Sequence, residues 1–312
     1  MYKLLYTKQA KKDAKKLSDW DLLILLNLKS ISFVLEAEIQ SLGVHEKEQR
    51  QTFALRNEGE VGAFLGIQIK KTGLQEYNLT QTGLIDKVLA ATGMSDCNGV
   101  DTPSTTTPSG IDFDGDPFTE TWQYNSIIGM LMYLSANTRP DIAYAVHQAA
   151  RFSHAPRHSH AIAVCRILRY LQKTKTMGLL LKPTNTQRVD CYVDADFAGL
   201  FAVEDNQDPI SVKSRTGYVV LYKGSPLLLW VSKMQTQIAL STMEAEYVAL
   251  SQAMRDLIPI REILKEFMAV VFEIQPSIAY HAHSKSFTDV AEGTVPYHAI
   301  DQSILYEDNH AC

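Results

Sequence analysis

Residues 191–199 read CYVDADFAG, and this stretch decides the fold of the C-terminal half. Tyr192 and Asp194 alternate with Cys191 and Val193, which is the period of a β-strand, and small and acidic residues mark the strand's end. If the strand runs on through Asp196, the two aspartates share one face. An Asp pair at a strand end serves most often as a turn or helix cap, so its meaning depends on what surrounds it.

Strand candidates lie at 177–181, 189–193, 216–222 and 227–231, and a long helix is predicted from 242 to 268. Strands first and a helix after them predict an α/β domain with a partly antiparallel sheet. At the helix start, Ser241 and Glu244 have the spacing of a capping box, which gives Glu244 a structural role. Glu246, about 200° further round the helix, can face the sheet; the bland alternative is a surface residue that complements the helix dipole. Residues 274–302 show no sustained period and read as a loop. Residues 303–307 read as a last short strand that ends at Asp308, which taken alone is a turn residue.

Toward the N-terminus, 62–71 and 76–81 read as two strands of a hairpin turned at Lys71-Thr72-Gly73. Leu84, Ile85, Val88 and Leu89 follow at helical spacing, with Gly93 as the stop. Residues 101–120 are polar and turn-rich and read as a linker. Three helices are predicted at about 120–135, 140–153 and 158–173, forming a small helical subdomain. The stretch 139–175 carries seven Lys/Arg against one acid, Asp141, although the whole chain has a formal charge of −5. Arg166 and Arg169 are therefore candidates for contact with a polyanion.

With 312 residues, 46% of them hydrophobic and 21% charged, the chain is expected to fold into two modest domains. The four cysteines form no C-x-x-C pair, which leaves neither a zinc ribbon nor a disulfide framework to read and predicts reduced thiols. No apolar run suits a signal peptide or a membrane span, so an intracellular protein, cytoplasmic or nuclear, is expected. The opening 17 residues, with six Lys and one Asp, read as a solvated basic helix. They also resemble the start of a bacterial toxin of the toxin–antitoxin type, a likeness that nothing after residue 18 extends.

Cleaving a phosphodiester with water calls for charge neutralisation on the phosphate and an activated water, which two Mg²⁺ ions about 4 Å apart supply. Hard cations take carboxylate oxygens gathered from separate elements. A strand acid, a helix acid and a second strand acid make such a set.

The blocks YVDADFAG, VKSRTGYVV, WVSKMQTQIALSTMEAEYVALS and YEDN occur in this order and resemble the RNase H domain of copia-type LTR-retrotransposon polyproteins. Upstream, FLGIQI, NLTQTGLIDKVL, YNSIIGMLMYLSANTRPDIAYAV and HAIAVCRILRYLQKT resemble the end of the preceding reverse transcriptase. The resemblance covers about 52–312. It implies an RNase H-like mixed sheet with flanking helices over 176–312, preceded by a thumb-like region with its hairpin at 52–100, the 101–120 linker and a helical connection subdomain at 121–175. Residues 1–51 match poorly.

The resemblance implies Asp194, Glu246 and Asp308 as catalytic, metal-binding carboxylates for Mg²⁺, with Mn²⁺ as a substitute. Asp196 and Glu244 take supporting or structural roles. Lys213, Ser214 and Arg215 are expected to contact the backbone of an RNA–DNA hybrid, with a solvated loop as the equal alternative. The partners implied are the hybrid or another nucleic acid, and other segments of the polyprotein; no membrane is expected.

Against the family pattern, the chain has no Asp-Asp dipeptide for a polymerase turn and ends four residues past Asp308, before a fourth carboxylate. The rival expectation is thus a catalytically dead remnant that binds nucleic acid with steep salt dependence.

Overall fold

The computed structural model describes residues 62–73, 76–106, 109–182, 188–201, 210–222, 227–274 and 303–306. The expected N-terminal segment 1–51, all but the first residue of the expected loop 274–302, and Asp308 lie outside them.

The expected single strand over 62–71 is two strands. β1 (Ala63–Phe64) and β2 (Ile67–Lys71) pair antiparallel around Leu65 and Gly66, whose φ values are 49° and 78°. A two-residue turn with both central φ positive matches the twist of a hairpin, and Gly66 makes half of that conformation cheap. β3 (Tyr77–Thr80) pairs with β2, and β4 (Leu179–Leu181) closes the sheet in the order β1-β2-β3-β4, so the strand expected at 177–181 joins this sheet and not that of the C-terminal domain, because β3 offers it an open edge. β4 approaches so closely that a Cβ on Gly178 would stand 2.1 Å from the Leu79 carbonyl oxygen.

α1 (Thr82–Ala91) stops where the glycine predicts: Gly93, at φ 68°, lets the Met94 N–H donate to Leu89 O at 2.8 Å. α2 (Tyr124–Asn137), a 3-10 turn (Pro140–Ile142), α3 (Ala143–Ala150) and α4 (His158–Lys173) follow. Ile85, Val88 and Leu89 of α1 share one core with Ile127, Leu131, Val146, Val164 and Leu168. The stretch 101–120 therefore does not separate one core from another; it lies along α4. Ser159 Oγ donates to Asp112 at 2.6 Å and Arg166 to Thr102 at 2.8 Å. His160, stacked on Phe152, accepts the Arg157 N–H at Nδ1 and meets Gly110 O through Nε2, both at 3.0 Å.

The second sheet runs β7-β6-β5-β8, from β5 (Val189–Asp196), β6 (Arg215–Tyr222), β7 (Leu227–Met234) and β8 (Ser303–Tyr306). β5, β6 and β7 pair antiparallel and β8 runs parallel to β5, so the sheet is mixed, as the order of elements predicts. α5 (Thr242–Ile274) packs on it and is longer than expected. Its buried positions Ala245, Ala249, Ala253, Leu257, Ile260 and Leu264 recur at three and four residues, and the three alanines let the helix lie close to the strands. Pro259 sits on the exposed side of α5. The other face of the sheet meets the helices, where Trp230 Nε1–H donates to Ser135 O at 2.7 Å. Both sheets and their helices make a mixed α/β architecture. Among the described residues no helix is long and apolar enough to cross a membrane.

Candidate carboxylate site at the end of the central strand

β5 alternates as its sequence predicts. Cys191 and Val193 are buried in the core shared with α5, while Tyr192, Asp194 and Asp196 are exposed on the opposite face. The strand continues through both aspartates, so they do share that face. Burial, and next the charge of Asp256, push the Cys191 thiol up to about 11, which keeps it a neutral core residue.

Residues facing each other across an antiparallel pair point to the same side, and β6 sets Gly217 opposite Asp194 and Arg215 opposite Asp196. Gly217 brings no side chain beside Asp194. After Asp196 the chain turns at once, with Ala198 at φ 48°, and the Ala198 N–H donates to Ser214 Oγ at 3.3 Å.

The start of α5 is capped by Ser241 as its spacing predicts, while Glu244 reaches back one residue further than a capping box requires. Ser241 Oγ accepts the Glu244 N–H at 3.1 Å, and Glu244 Oε2 accepts the Leu240 N–H at 2.7 Å. Glu244 is exposed and Glu246 is 6% exposed, which separates the two acids by environment. Gln235, at the end of β7, donates from Nε2 to Thr216 Oγ1 at 3.1 Å and to Ala245 O at 2.9 Å. It thereby fixes the turn of α5 that carries Glu246 to the strand that carries Gly217. Sequence reasoning passed over Gln235, because a buried amide inside a polar block leaves no periodic signal.

The other sequence candidates divide. Ser214 and Arg215 are buried. The Arg215 guanidinium donates to Gln148 Oε1 at 2.9 Å and lies 5.1 Å from the Tyr144 ring centre. Burial, foremost, lowers its hold on its proton. Lys213 is half-buried at the mouth of β6. Arg169 donates to Asn98 O at 2.7 Å and Arg166 to the strap at Thr102, so both are engaged along the 98–102 segment. Asp308 lies outside the described residues, and among those residues no three His, Cys, Asp or Glu are grouped to hold a metal ion.

No family model matches the chain, and no solved structure does. Curated relatives do. The retrovirus-related Pol polyprotein from transposon RE1 of Arabidopsis thaliana is 38% identical over 218 residues, which is 69% of this chain and 14% of that protein. The corresponding polyprotein from transposon TNT 1-94 of Nicotiana tabacum is 30% identical over 294 residues, 91% of this chain and 21% of that protein. An uncharacterized mitochondrial protein of Arabidopsis thaliana is 31% identical over 208 residues, 66% of this chain and 81% of its own length. The chain spans between a seventh and about a fifth of the length of the two polyproteins. It belongs to the retrovirus-related Pol polyproteins of copia-type transposons, as one segment of such a polyprotein.

Proposed function

We propose that the second sheet and α5 form an RNase H-like domain that hydrolyses the RNA strand of RNA–DNA hybrids. Residues 52–100 and 121–175 are then the thumb-like and connection regions of the preceding reverse transcriptase, and 101–120 is the strap between them. The observation that carries this reading is the placement of acids at one end of the sheet. Asp194 leaves the C-terminal end of the central strand, Glu246 stands in the first turns of the helix packed on that sheet, and β8 runs parallel beside β5 with Tyr306 in register with Tyr192. Asp308 follows Tyr306 by two residues as Asp194 follows Tyr192 by two. The carboxyl ends of neighbouring parallel strands are a recurrent place for a site in α/β sheets.

The donor chemistry suits a hard dication, since Asp194 and Glu246 offer carboxylate oxygens from two different elements; Asp194 is on the face turned away from α5, so the two would share an ion only around the end of the sheet. Asp194, Glu246 and Asp308 would hold Mg²⁺, or Mn²⁺ in its place. Bound there, the metal supplies charge neutralisation on the phosphate and an activated water. The chain's own contribution is placement: the Ser241 cap and Gln235 fix the helix acid, while the β5–β6 register fixes the strand acids.

The alternative reading is binding without cleavage. The two separate in one assay. Purified chain is incubated with a labelled RNA–DNA hybrid and Mg²⁺, beside Asp194→Asn and Glu246→Gln. Cleavage is expected, with each substitution lowering it by about a hundredfold or more. A folded chain that binds the hybrid without cutting it, or that cuts equally well with both substitutions, would overturn the nuclease reading.

A further inference from the structure

Arg215 is buried to 7% exposure, where a guanidinium is costly unless its surroundings compensate it. Its compensation comes from two sides. From the helical layer, Gln148 accepts a hydrogen bond at 2.9 Å and Tyr144 presents its ring face at 5.1 Å. From the sheet, Ser232 Oγ accepts weakly at 3.5 Å, and the charge of Asp196, whose backbone stands opposite in register, favours the cation. The guanidinium is thus the tie between α3 and the acidic end of β5.

The turn that follows is clipped as well. Ala198 takes a left-handed φ of 48°, which is unfavourable for an L-residue and needs an external hold. Ser214, the residue before Arg215, accepts its N–H. The Asp196 carboxylate folds over the same turn, occupying the space that a Cβ on Gly199 would need. Asp194 therefore sits on a strand whose end is held by its neighbour's residues 214 and 215.

We propose that Arg215 is a positioning residue: it couples α3 of the helical layer to the acidic end of β5 and so sets where Asp194 and Asp196 stand. Its guanidinium reaches Gln148 and Ser232 from one fork, which the ammonium of a lysine cannot do, while its charge acts on Asp196 across the β5–β6 pair. Ser214 and Arg215 then act through the protein and not on a nucleic-acid backbone. The inference deepens the nuclease reading, but its first test does not need catalysis.

That test is amide hydrogen exchange on the full chain, as wild type, Arg215→Lys and Gln148→Ala; the last approaches the tie from the helix and serves if the first fails to fold. Exchange is expected to quicken about tenfold over 194–200 in both variants, with the melting temperature moved by only a few degrees. Unchanged exchange over 194–200 in both would overturn the coupling. The second test is cleavage of the labelled hybrid, where kcat is expected to fall about tenfold while KM stays within about twofold. A rise in KM alone, with exchange unchanged, would instead make Arg215 a hybrid contact. If the wild type does not cleave at all, the nuclease reading fails and the exchange measurement still decides the coupling.

Discussion

The basic stretch 139–175 and the acidic end of β5 look alike in sequence, each a run of one charge, yet they stand differently in the molecule. In the basic stretch Arg139 is turned inward, and several of the other charges are engaged by partners of the protein at its surface. Arg139 is 1% exposed, donating to Asp141 at 2.7 Å and to the Thr174 carbonyl at 3.0 Å, while Tyr170 donates to the same carboxylate at 2.8 Å. Lys173 pairs with Asp101 and Lys175 with Asp86, and Arg169 donates to Asn98 O. At the end of β5, Asp194 and Asp196 face outward. Charge density in a sequence thus says little about function until it is known whether the fold has already used it.

The largest effect expected from this contrast is at Arg139. Arg139→Met leaves Asp141 without its cation and is expected to cost about 3 kcal/mol, read as a fall in melting temperature of several degrees. The same variant carries a pH signature. Burial alone would raise the Asp141 carboxyl, but the hydrogen bond and charge of Arg139 and the Tyr170 hydroxyl outweigh it and hold it below its ordinary value. A group held low in the folded state contributes stability that is complete above its unfolded value of 3.8 and is lost as pH falls through the lowered one. Wild type is expected to lose stability on that acid limb, and Arg139→Met to show a flatter limb; equal limbs would sink the account.

A smaller effect is expected at Arg169. Arg169→Gln should cost about 1 kcal/mol through the lost bond to Asn98 O. It should change the salt dependence of hybrid binding by less than the unit slope expected of one phosphate contact. A full unit of slope would show that the basic face grips nucleic acid after all. The smallest effect is at Asp194, where Asn is expected to alter stability by under about 0.5 kcal/mol in a denaturant melt, because the side chain is exposed. A large loss there would give Asp194 a structural task and end the contrast.

Much of the fold was legible because its elements obey their own periods. The strands from 189 to 231, the Ser241 cap of α5, and the glycine stop of α1 depend on neighbours in sequence, and they stand where the pattern puts them. What was not legible depends on partners far away. The break at Leu65-Gly66 hides in an apolar strand pattern because Leu rarely takes a positive φ. Residues 101–120 look like a linker by composition, since nothing local announces that Asp112, Phe113 and Gly115 will meet α4. Of the site, the strand face of Asp194 and the unlike environments of Glu244 and Glu246 followed from two periods. The inward turn of Arg215 did not, because Gln148 lies 67 residues away.

The closure of the first sheet by β4 has a consequence in time. Leu79 pairs with Leu179, so β3 waits for a partner a hundred residues downstream. At synthesis rates of about 5–20 residues per second, that partner emerges about 5–20 s later. Helices form in about a microsecond, so the four that lie between can assemble while β3 still has an open edge. Any frame change or cut between 81 and 178 makes that interval permanent, and an unpaired strand edge is a template for aggregation with another chain.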